Sequence, residues 1–282
     1  MESFVWSGAR DACLDMPTVI NLGIVSVGLY GGNISRGAHK NEDGALVWLG
    51  ANWVFAAILD AHGTAESTNA TLELLTAHQA KLMPILTGNE PSDFRRLHAA
   101  LIEILSGPEA RARFARLRGE TACLVCFQRG RFLSWLSIGD NSLYLLHPAL
   151  ARLGQFTLSA RNYFEWIGER DSLALDVPCY SSGVRELRLG DQVIALATDG
   201  LLEFGDRPYE DPAAFAAALS GSTDLGANVR AMMLNAASAG ATDSSTVIAW
   251  RVTCDTQGLI PTAKCPTIDW CGPMNGSPLA RG

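Results

Sequence analysis

The sequence predicts an α+β fold in which two sheets lie together with helices on their outer faces. The chain has 282 residues, of which 48% are hydrophobic and 18% are charged, so it is long and apolar enough to bury a large core. Strand-like and helix-like patterns come in blocks: strands, two helical stretches, more strands, helices and a final strand. Such an order is typical of layered α+β proteins.

The N-terminal half contains the first strands and both long helical stretches. Apolar, β-branched residues predict a strand over 19–30, and the runs 45–50 and 52–60 flank a turn and predict a hairpin. Leucines at helical spacing predict a helix over 66–86, which Pro84 should end a residue or two early. A second helical region is predicted over 92–118, with a break at Gly107–Pro108.

The C-terminal half repeats the pattern. We predict strands over 121–128, 131–140, 142–148, 184–189, 192–200 and 245–252, and helices over 211–220 and 223–238. Residues 151–183 have weak periodicity and predict a loop-rich insertion. Residues 256–282 are rich in Pro, Gly and Cys, and we interpret them as a tail outside a domain that spans 1–255.

Composition excludes several classes of function. The net charge of −7, without a basic cluster, argues against a nucleic-acid or anionic-membrane partner. The longest apolar runs are far shorter than a membrane span, and the N-terminus lacks a secretory signal pattern. Seven cysteines without regular spacing indicate reduced thiols. We therefore expect a cytoplasmic protein, and a monomer.

Acidic residues lie where the apolar strands begin or end. Asp60, Asp140 and Asp199 each end a predicted strand, and Asp43 and Asp243 each precede one. A single aspartate in such a place is equally well explained as a turn former. Several together at sheet ends favour a site for Mg²⁺ or Mn²⁺, because these ions prefer carboxylate and water oxygens. Two such ions can activate a water and hold a phosphoryl group in line.

Six segments, in order, resemble the metal-dependent (PPM, type 2C) serine/threonine phosphatases. They are KNEDG (40–44), FAAILDAHG (55–63), GETACLV (119–125), LSIGDNSLYLL (136–146), LRLGDQVIALATDGLLE (187–203) and TDSSTVIAW (242–250). The resemblance implies a four-layer α-β-β-α sandwich with two central antiparallel sheets, and a flap-like role for 151–183. It also implies that the protein hydrolyses phosphoserine and phosphothreonine in a phosphorylated protein substrate, with two Mn²⁺ or Mg²⁺ ions and a third, weaker ion site.

The resemblance also implies roles for individual residues. Asp60 would bridge both ions, and the other metal-site residues would be the carbonyl of Ala61 with Glu42, Asp43, Asp140, Asp199 and Asp243. Asp43 would act at the metal waters as a direct or an outer ligand. His62 would be the general acid that protonates the leaving serine or threonine oxygen, a task that suits a pKa near neutrality.

Three positions depart from the family pattern. Ala61 replaces a glycine, which a backbone ligand tolerates if its φ is negative, and Ser244 replaces an asparagine. Ala38 stands where the family has its phosphate-binding arginine. Arg36 and Lys40 are the candidate replacements, although lysine lacks the two-pronged donor geometry of arginine.

Two alternatives compete with this interpretation. Cys123 and Arg129 have the CX5R spacing of cysteine phosphatases, but the residues between them form an apolar strand without the glycines of a phosphate loop. The chain could also be a pseudophosphatase, with the same fold kept as a binding or regulatory module. The carboxylates argue against that alternative, and the missing arginine at Ala38 argues for it.

Overall fold

The computed structural model describes residues 1–258, and in this part of the chain two antiparallel sheets pack face to face. The first sheet has the strand order β1-β4-β5-β6-β7-β10, with β9 paired to β6. Its strands are β1 (Glu2–Ser7), β4 (Gly44–Leu49), β5 (Trp53–His62), β6 (Glu120–Arg129), β7 (Phe132–Ile138), β9 (Ile167–Gly168) and β10 (Ser181–Glu186).

The second sheet has five strands in the order β2-β3-β12-β11-β8. They are β2 (Thr18–Leu22), β3 (Val25–Tyr30), β8 (Ser142–Leu146), β11 (Gly190–Ala197) and β12 (Ser245–Cys254). Every pairing in both sheets is antiparallel. The predicted α+β class with two central antiparallel sheets is confirmed.

Helices cover the outer face of each sheet. Four of them pack on the first sheet, namely α1 (Glu66–Ala77), α2 (Gln79–Leu86), α3 (Asp93–Ser106) and α4 (Pro108–Phe114). The helices on the second sheet are α6 (Asp199–Glu203), α7 (Pro212–Leu219) and α8 (Leu225–Ser238), and a short α5 (Pro148–Ala151) follows β8. The result is the predicted four-layer α-β-β-α sandwich. Within the described residues no helix is long and apolar enough to cross a membrane.

The core has three layers, because the side chains of each strand alternate between its two faces. In β5, Phe55 and Leu59 contact the helices, whereas Val54 and Ile58 point into the layer between the sheets. Successive side chains of a strand point to opposite faces, so a strand buried on both faces reads as a continuous apolar run. This explains why β5 is hydrophobic throughout, and it fixes which face each later residue of the strand occupies.

Several elements differ from the sequence prediction. The predicted strand 19–30 is two strands, because Gly23 adopts a left-handed φ of +53° and reverses the chain. Pro84 lies inside α2 rather than ending it, because the helix continues for only two residues beyond the proline and loses one backbone hydrogen bond to it. Strand β1 was not predicted, and β10 lies three residues before the predicted 184–189.

The predicted strand 192–200 also ends early. β11 stops at Ala197, and Asp199 begins α6 instead of ending the strand. A carboxylate in the first turn of a helix is favoured by the helix dipole, which explains the change of structure at this aspartate.

Residues 152–180 contain the two-residue strand β9 and are otherwise irregular. They pack beside β8, where the backbone of Leu145 donates to the carbonyl of Phe156. Of the predicted tail, residues 259–282 lie outside the described part of the chain.

A buried arginine joins the helices to the first sheet. Arg129, at the end of β6, donates to the carbonyl oxygens of Ile85 and Glu90 and to Asp93 Oδ2 at 3.0 Å. Its guanidinium also lies 5.1 Å from the ring centroid of Phe94. Because the Asp93 side chain is only 1% exposed, its charge depends on this partner.

We expect Arg129→Met to lower the free energy of unfolding by about 3 kcal/mol, because it removes the buried cation from the Asp93 carboxylate and leaves only the exposed Arg96 as a charged partner. Arg96→Met is the matched control, since Arg96 pairs with the same aspartate but its side chain is 56% exposed. It should cost less than about 1 kcal/mol. Urea denaturation measures the free energy of unfolding of both variants. Equal decreases would show that the buried ion pair stabilises the protein no more than the exposed one.

Candidate active site

The alternation of the strands brings two aspartates to one end of the layer between the sheets. Asp60 continues the face of β5 that carries Val54 and Ile58, and Asp43 directly precedes β4. Gly44 pairs with Leu59, so the two carboxyl groups come from adjacent strand ends. Both aspartates are buried, and Asp43 is not exposed at all.

Two threonines from the second sheet reach across to Asp43. Thr246 Oγ1 donates to Asp43 Oδ2 at 2.7 Å, and Thr198 Oγ1 donates to the same oxygen at 3.1 Å. Burial, together with the charges of Asp243 and Asp199, raises the pKa of Asp43 to about 8 despite these hydrogen bonds. The sequence analysis missed both threonines, although their positions next to candidate metal ligands were a usable signal.

Asp199 completes the centre from the second sheet. Its carboxyl group and that of Asp60 are close enough to share a hydrogen bond. Burial, followed by the charges of Asp43 and Asp199, holds the pKa of Asp60 well above its ordinary value. Burial also raises the pKa of Asp199, and the charges of Asp140 and Asp243 add to the effect. The structure therefore brings Asp43, Asp60, Asp140, Asp199 and Asp243 into one electrostatic cluster.

A glycine lets the two loops of this cluster meet. A Cβ on Gly200 would lie 1.9 Å from the backbone oxygen of Ser244, which is closer than any side chain permits. The Asp-Gly pair at 199–200 and the Asp-Ser pair at 243–244 therefore depend on each other. Ser244 Oγ also accepts a hydrogen bond from the backbone of Glu42 at 3.4 Å, so it ties the NEDG loop to the cluster.

The buried oxygens at this end of the sandwich fit a hard divalent cation. Glu42 Oε1, Asp43 Oδ1 and Asp60 Oδ2 are buried and have no hydrogen-bond partner. Uncompensated buried carboxylate oxygens are unfavourable unless a cation or a proton meets them. Within residues 1–258, no three Asp, Glu, His or Cys side chains already form a ligand set around a common point. The donor chemistry fits Mn²⁺ or Mg²⁺, and the side chains would turn toward the ion as it binds.

The two residues after Asp60 continue β5 to its end. Ala61 is buried in the strand and is not among the residues with positive φ, so its alanine side chain causes no backbone strain. His62 is exposed at the last position of the strand, in register with Glu120 of β6. Because it comes two residues after Asp60 in the same strand, its side chain points to the same face as the Asp60 carboxyl group.

The predicted phosphate-binding residues lie in different surroundings. The stem of Arg36 packs beside Gly240, and its side chain forms no ion pair with the described residues. Lys40 Nζ lies 2.5 Å from Glu42 Oε2 and donates to the carbonyl of Gly63. Ala38 is buried, so an arginine at this position could not enter without displacing its neighbours. Lys40 is thus paired with Glu42 of the NEDG loop, whereas Arg36 packs against Gly240.

Arg161 is a cation at the cluster that the sequence analysis did not identify. Its Nη2 lies 2.7 Å from Glu203 Oε1 and 3.7 Å from Asp199 Oδ2, and its Nε donates to the carbonyl of Asp140 at 3.2 Å. It belongs to the loop-rich insertion, where no motif indicated a contact with the aspartates. Only the tertiary structure brings it there.

The cysteine alternative does not fit the structure. Cys123 is 1% exposed in the middle of β6, and burial raises the pKa of its thiol to about 12. Such a thiol does not form the thiolate that a covalent mechanism needs. Arg129, the other residue of the CX5R spacing, donates a hydrogen bond to Asp93 at the start of α3. Cys126 is buried as well, and all five cysteines in the described part of the chain are free.

Known proteins match this chain in structure but not in sequence. No family model and no curated protein matches it. Its fold is similar to a bacterial serine phosphatase carrying a single arginine substitution, with a TM-score of 0.62 at 15% identity over 81% of this chain and 97% of that one.

Two further structures contain metal ions. The catalytic domain of the phosphatase PstP in complex with two manganese ions has a TM-score of 0.59 at 20% identity, over 81% of this chain and 97% of that chain. RsbX in complex with magnesium has a TM-score of 0.54 at 12% identity, over 84% and 100%. The similarity covers most of this chain and nearly all of each neighbour. The chain has the fold of the bacterial PPM-type serine/threonine phosphatases.

Proposed function

We propose that this protein is a metal-dependent phosphoprotein phosphatase that hydrolyses phosphoserine and phosphothreonine. The observation that carries the proposal is the cluster of five aspartates at one end of the layer between the sheets, in which Asp43 and Asp60 each have one buried carboxylate oxygen without a partner. The fold similarity supports it independently, since the neighbours are serine/threonine phosphatases and two of them hold manganese or magnesium.

The residues around the cluster have distinct tasks in this proposal. Two Mn²⁺ or Mg²⁺ ions, when bound, would supply an activated water and neutralise part of the phosphate charge. Asp60, the carbonyl of Ala61, Asp199 and Asp243 would hold the ions, and Asp140 would hold a third, weaker one. Asp43 would lie beside them as a direct or an outer ligand, oriented through Oδ2 by Thr198 and Thr246, with Glu42 next to it.

His62 would transfer a proton to the leaving alkoxide of the substrate. Its exposed position at the end of β5 leaves the imidazole accessible to a bound substrate. An alcohol leaves as its oxygen is protonated, and an imidazole with a pKa near neutrality does this efficiently. Lys40, held beside Glu42, would add positive charge near the entering phosphate.

A pseudophosphatase remains the competing proposal because of one specific observation. The position of the family's phosphate-binding arginine is a buried alanine, Ala38, and Arg36 packs against Gly240. An assay with a phosphopeptide and Mn²⁺ separates the two functions, since a pseudophosphatase would bind such a ligand without releasing phosphate.

We expect hydrolysis of an aryl phosphate to require Mn²⁺ or Mg²⁺ and to disappear in excess EDTA, because the proposed nucleophile is a water and not a side chain. Cys123→Ser should retain nearly all the activity of the natural protein. Phosphate release is the measurement. Full turnover after removal of the metal, or loss of activity in a folded Cys123→Ser variant, would contradict the proposed mechanism.

We expect Asp60→Asn to lower kcat by roughly two orders of magnitude or more, because it removes the charge proposed to be shared by both ions. In EDTA the same variant should melt at a higher temperature than the natural protein, since it removes repulsion among buried carboxylates. Asp206→Asn, at an exposed position, is the control and should change neither quantity. A variant at Asp60 with the natural kcat at saturating metal would show that the site is wrongly assigned.

The metal-free protein should lose stability as the pH rises. The pKa of Asp43 is about 8 in the folded protein and lies near 4 in an unfolded chain, so folding favours its protonated form. This contribution is fully present below pH 4 and is lost as the pH rises through about 8. We expect the melting temperature in EDTA to fall between pH 5 and pH 9, and to fall less steeply in Asp43→Asn. If the melting temperatures of the two proteins fall equally steeply with pH, the titrating group is not Asp43.

A further inference from the structure

The candidate active site is rich in carboxylates and poor in cations that could meet a phosphate. A phosphate monoester carries nearly two negative charges at neutral pH. Ala38 provides none of the positive charge that an arginine would, and Arg36 lies over Gly240. Lys40 is already paired with Glu42 at 2.5 Å. A different side chain must provide the guanidinium if this site is to bind phosphate tightly.

Arg161 is held at the edge of the cluster by four contacts. Nη2 contacts Glu203 at 2.7 Å and Asp199 at 3.7 Å, and Nε donates to the backbone of Asp140. The ring of Tyr163 lies 5.2 Å from the guanidinium carbon and covers one face of it. These contacts fix the plane of the guanidinium beside Asp199, one of the proposed ion ligands.

One edge of this guanidinium is still available. Within residues 1–258, Nη1 has no hydrogen-bond acceptor, and it is not one of the buried atoms without a partner. The side chain as a whole is 19% exposed. An arginine that is oriented on one side and open on the other is suited to bind an anion through its planar donors.

We propose that Arg161, carried by the loop-rich insertion, binds the substrate phosphate in place of the arginine that position 38 lacks. The inference rests on the proposed function, because it takes the phosphate to lie over the aspartate cluster. Glu203 would hold the guanidinium in position while the site is empty. The insertion would then contribute directly to binding and not only to the surface around the site.

A purely structural role for Arg161 makes a different prediction. If its task were to fasten the insertion to α6, the ion pair with Glu203 would be the essential contact. Glu203→Gln would then weaken phosphate binding as much as Arg161→Gln does. If Arg161 binds phosphate itself, Glu203→Gln frees the guanidinium and leaves binding equal or tighter.

The test measures the binding of inorganic phosphate to the full chain with saturating Mn²⁺ by isothermal titration calorimetry. We expect Arg161→Ala and Arg161→Gln to weaken binding by about tenfold or more, the loss of one charge-assisted contact. Arg161→Lys should recover part of it. Arg207→Gln is the matched control, since Arg207 also pairs with Glu203 but is exposed on the outer side. Its affinity should equal that of the natural protein.

Turnover of an aryl phosphate, measured in parallel, separates this inference from the proposed function. Where the natural protein is active, variants at Arg161 should raise KM more than they lower kcat. Unchanged phosphate affinity in Arg161→Gln, equal losses in Glu203→Gln, or a loss confined to Arg36→Ala would overturn the role of Arg161 while the phosphatase stands.

The experiment also distinguishes the reverse case, in which the role of Arg161 holds and the proposed function does not. Phosphate binding that depends on Arg161, in a protein that releases no phosphate from any substrate, supports the role of Arg161 and contradicts the phosphatase. A natural protein that binds no phosphate with saturating Mn²⁺ overturns the role of Arg161, and one that also releases no phosphate from a phosphopeptide contradicts the phosphatase as well. Thermal unfolding of each variant shows whether it is folded, and the longer Gln side chain preserves packing where Ala does not.

Discussion

Carboxylates repel one another at one end of the layer between the sheets, and the rest of the structure has to accommodate this repulsion. Asp43 and Asp60 are buried there, with Asp199 beside them, and each has a pKa above its ordinary value. A protein interior does not favour such a group of charges without compensation. The two threonines that donate to Asp43 satisfy one oxygen and leave the other without a partner. The protein itself thus leaves part of the charge of this cluster without a hydrogen-bond partner.

The pairing of strands in the two sheets brings these polar groups together. The first sheet contributes Asp43 and Asp60 from adjacent strands, and the second contributes Thr198 and Thr246 from another adjacent pair. All four side chains extend the faces that form the apolar layer between the sheets. The rigid apolar core therefore sets the positions of the polar groups, which is how a site gains order from elements that are stable without it.

The insertion adds a second level of organisation. It contains little regular structure, yet Arg161 crosses from it to Glu203 and to the first residue of α6. The charge of the guanidinium offsets part of the negative field around Asp199. A loop held by a charged contact at its functional edge is less rigid than a sheet, and such loops are where related folds vary their binding properties. The unusual residue at position 38 and the position of Arg161 are understandable together on this basis.

The amino-acid sequence by itself determined the layers and most of the acidic cluster. Continuous apolar strands, helical leucine spacing and their order sufficed to predict two sheets with helices outside them, because burial on two faces leaves a distinct pattern, and the family resemblance implied the four-layer order. The aspartates were visible because charges next to such strands are unusual. Boundaries such as the turn at Gly23 and the start of α6 at Asp199 depended on local backbone geometry that the pattern does not encode. Only the tertiary structure decided which cation meets the cluster, because Arg161 and Asp199 are 38 positions apart and joined by a segment without periodicity. A contact of that kind is fixed by how the insertion packs and not by any local preference of its residues.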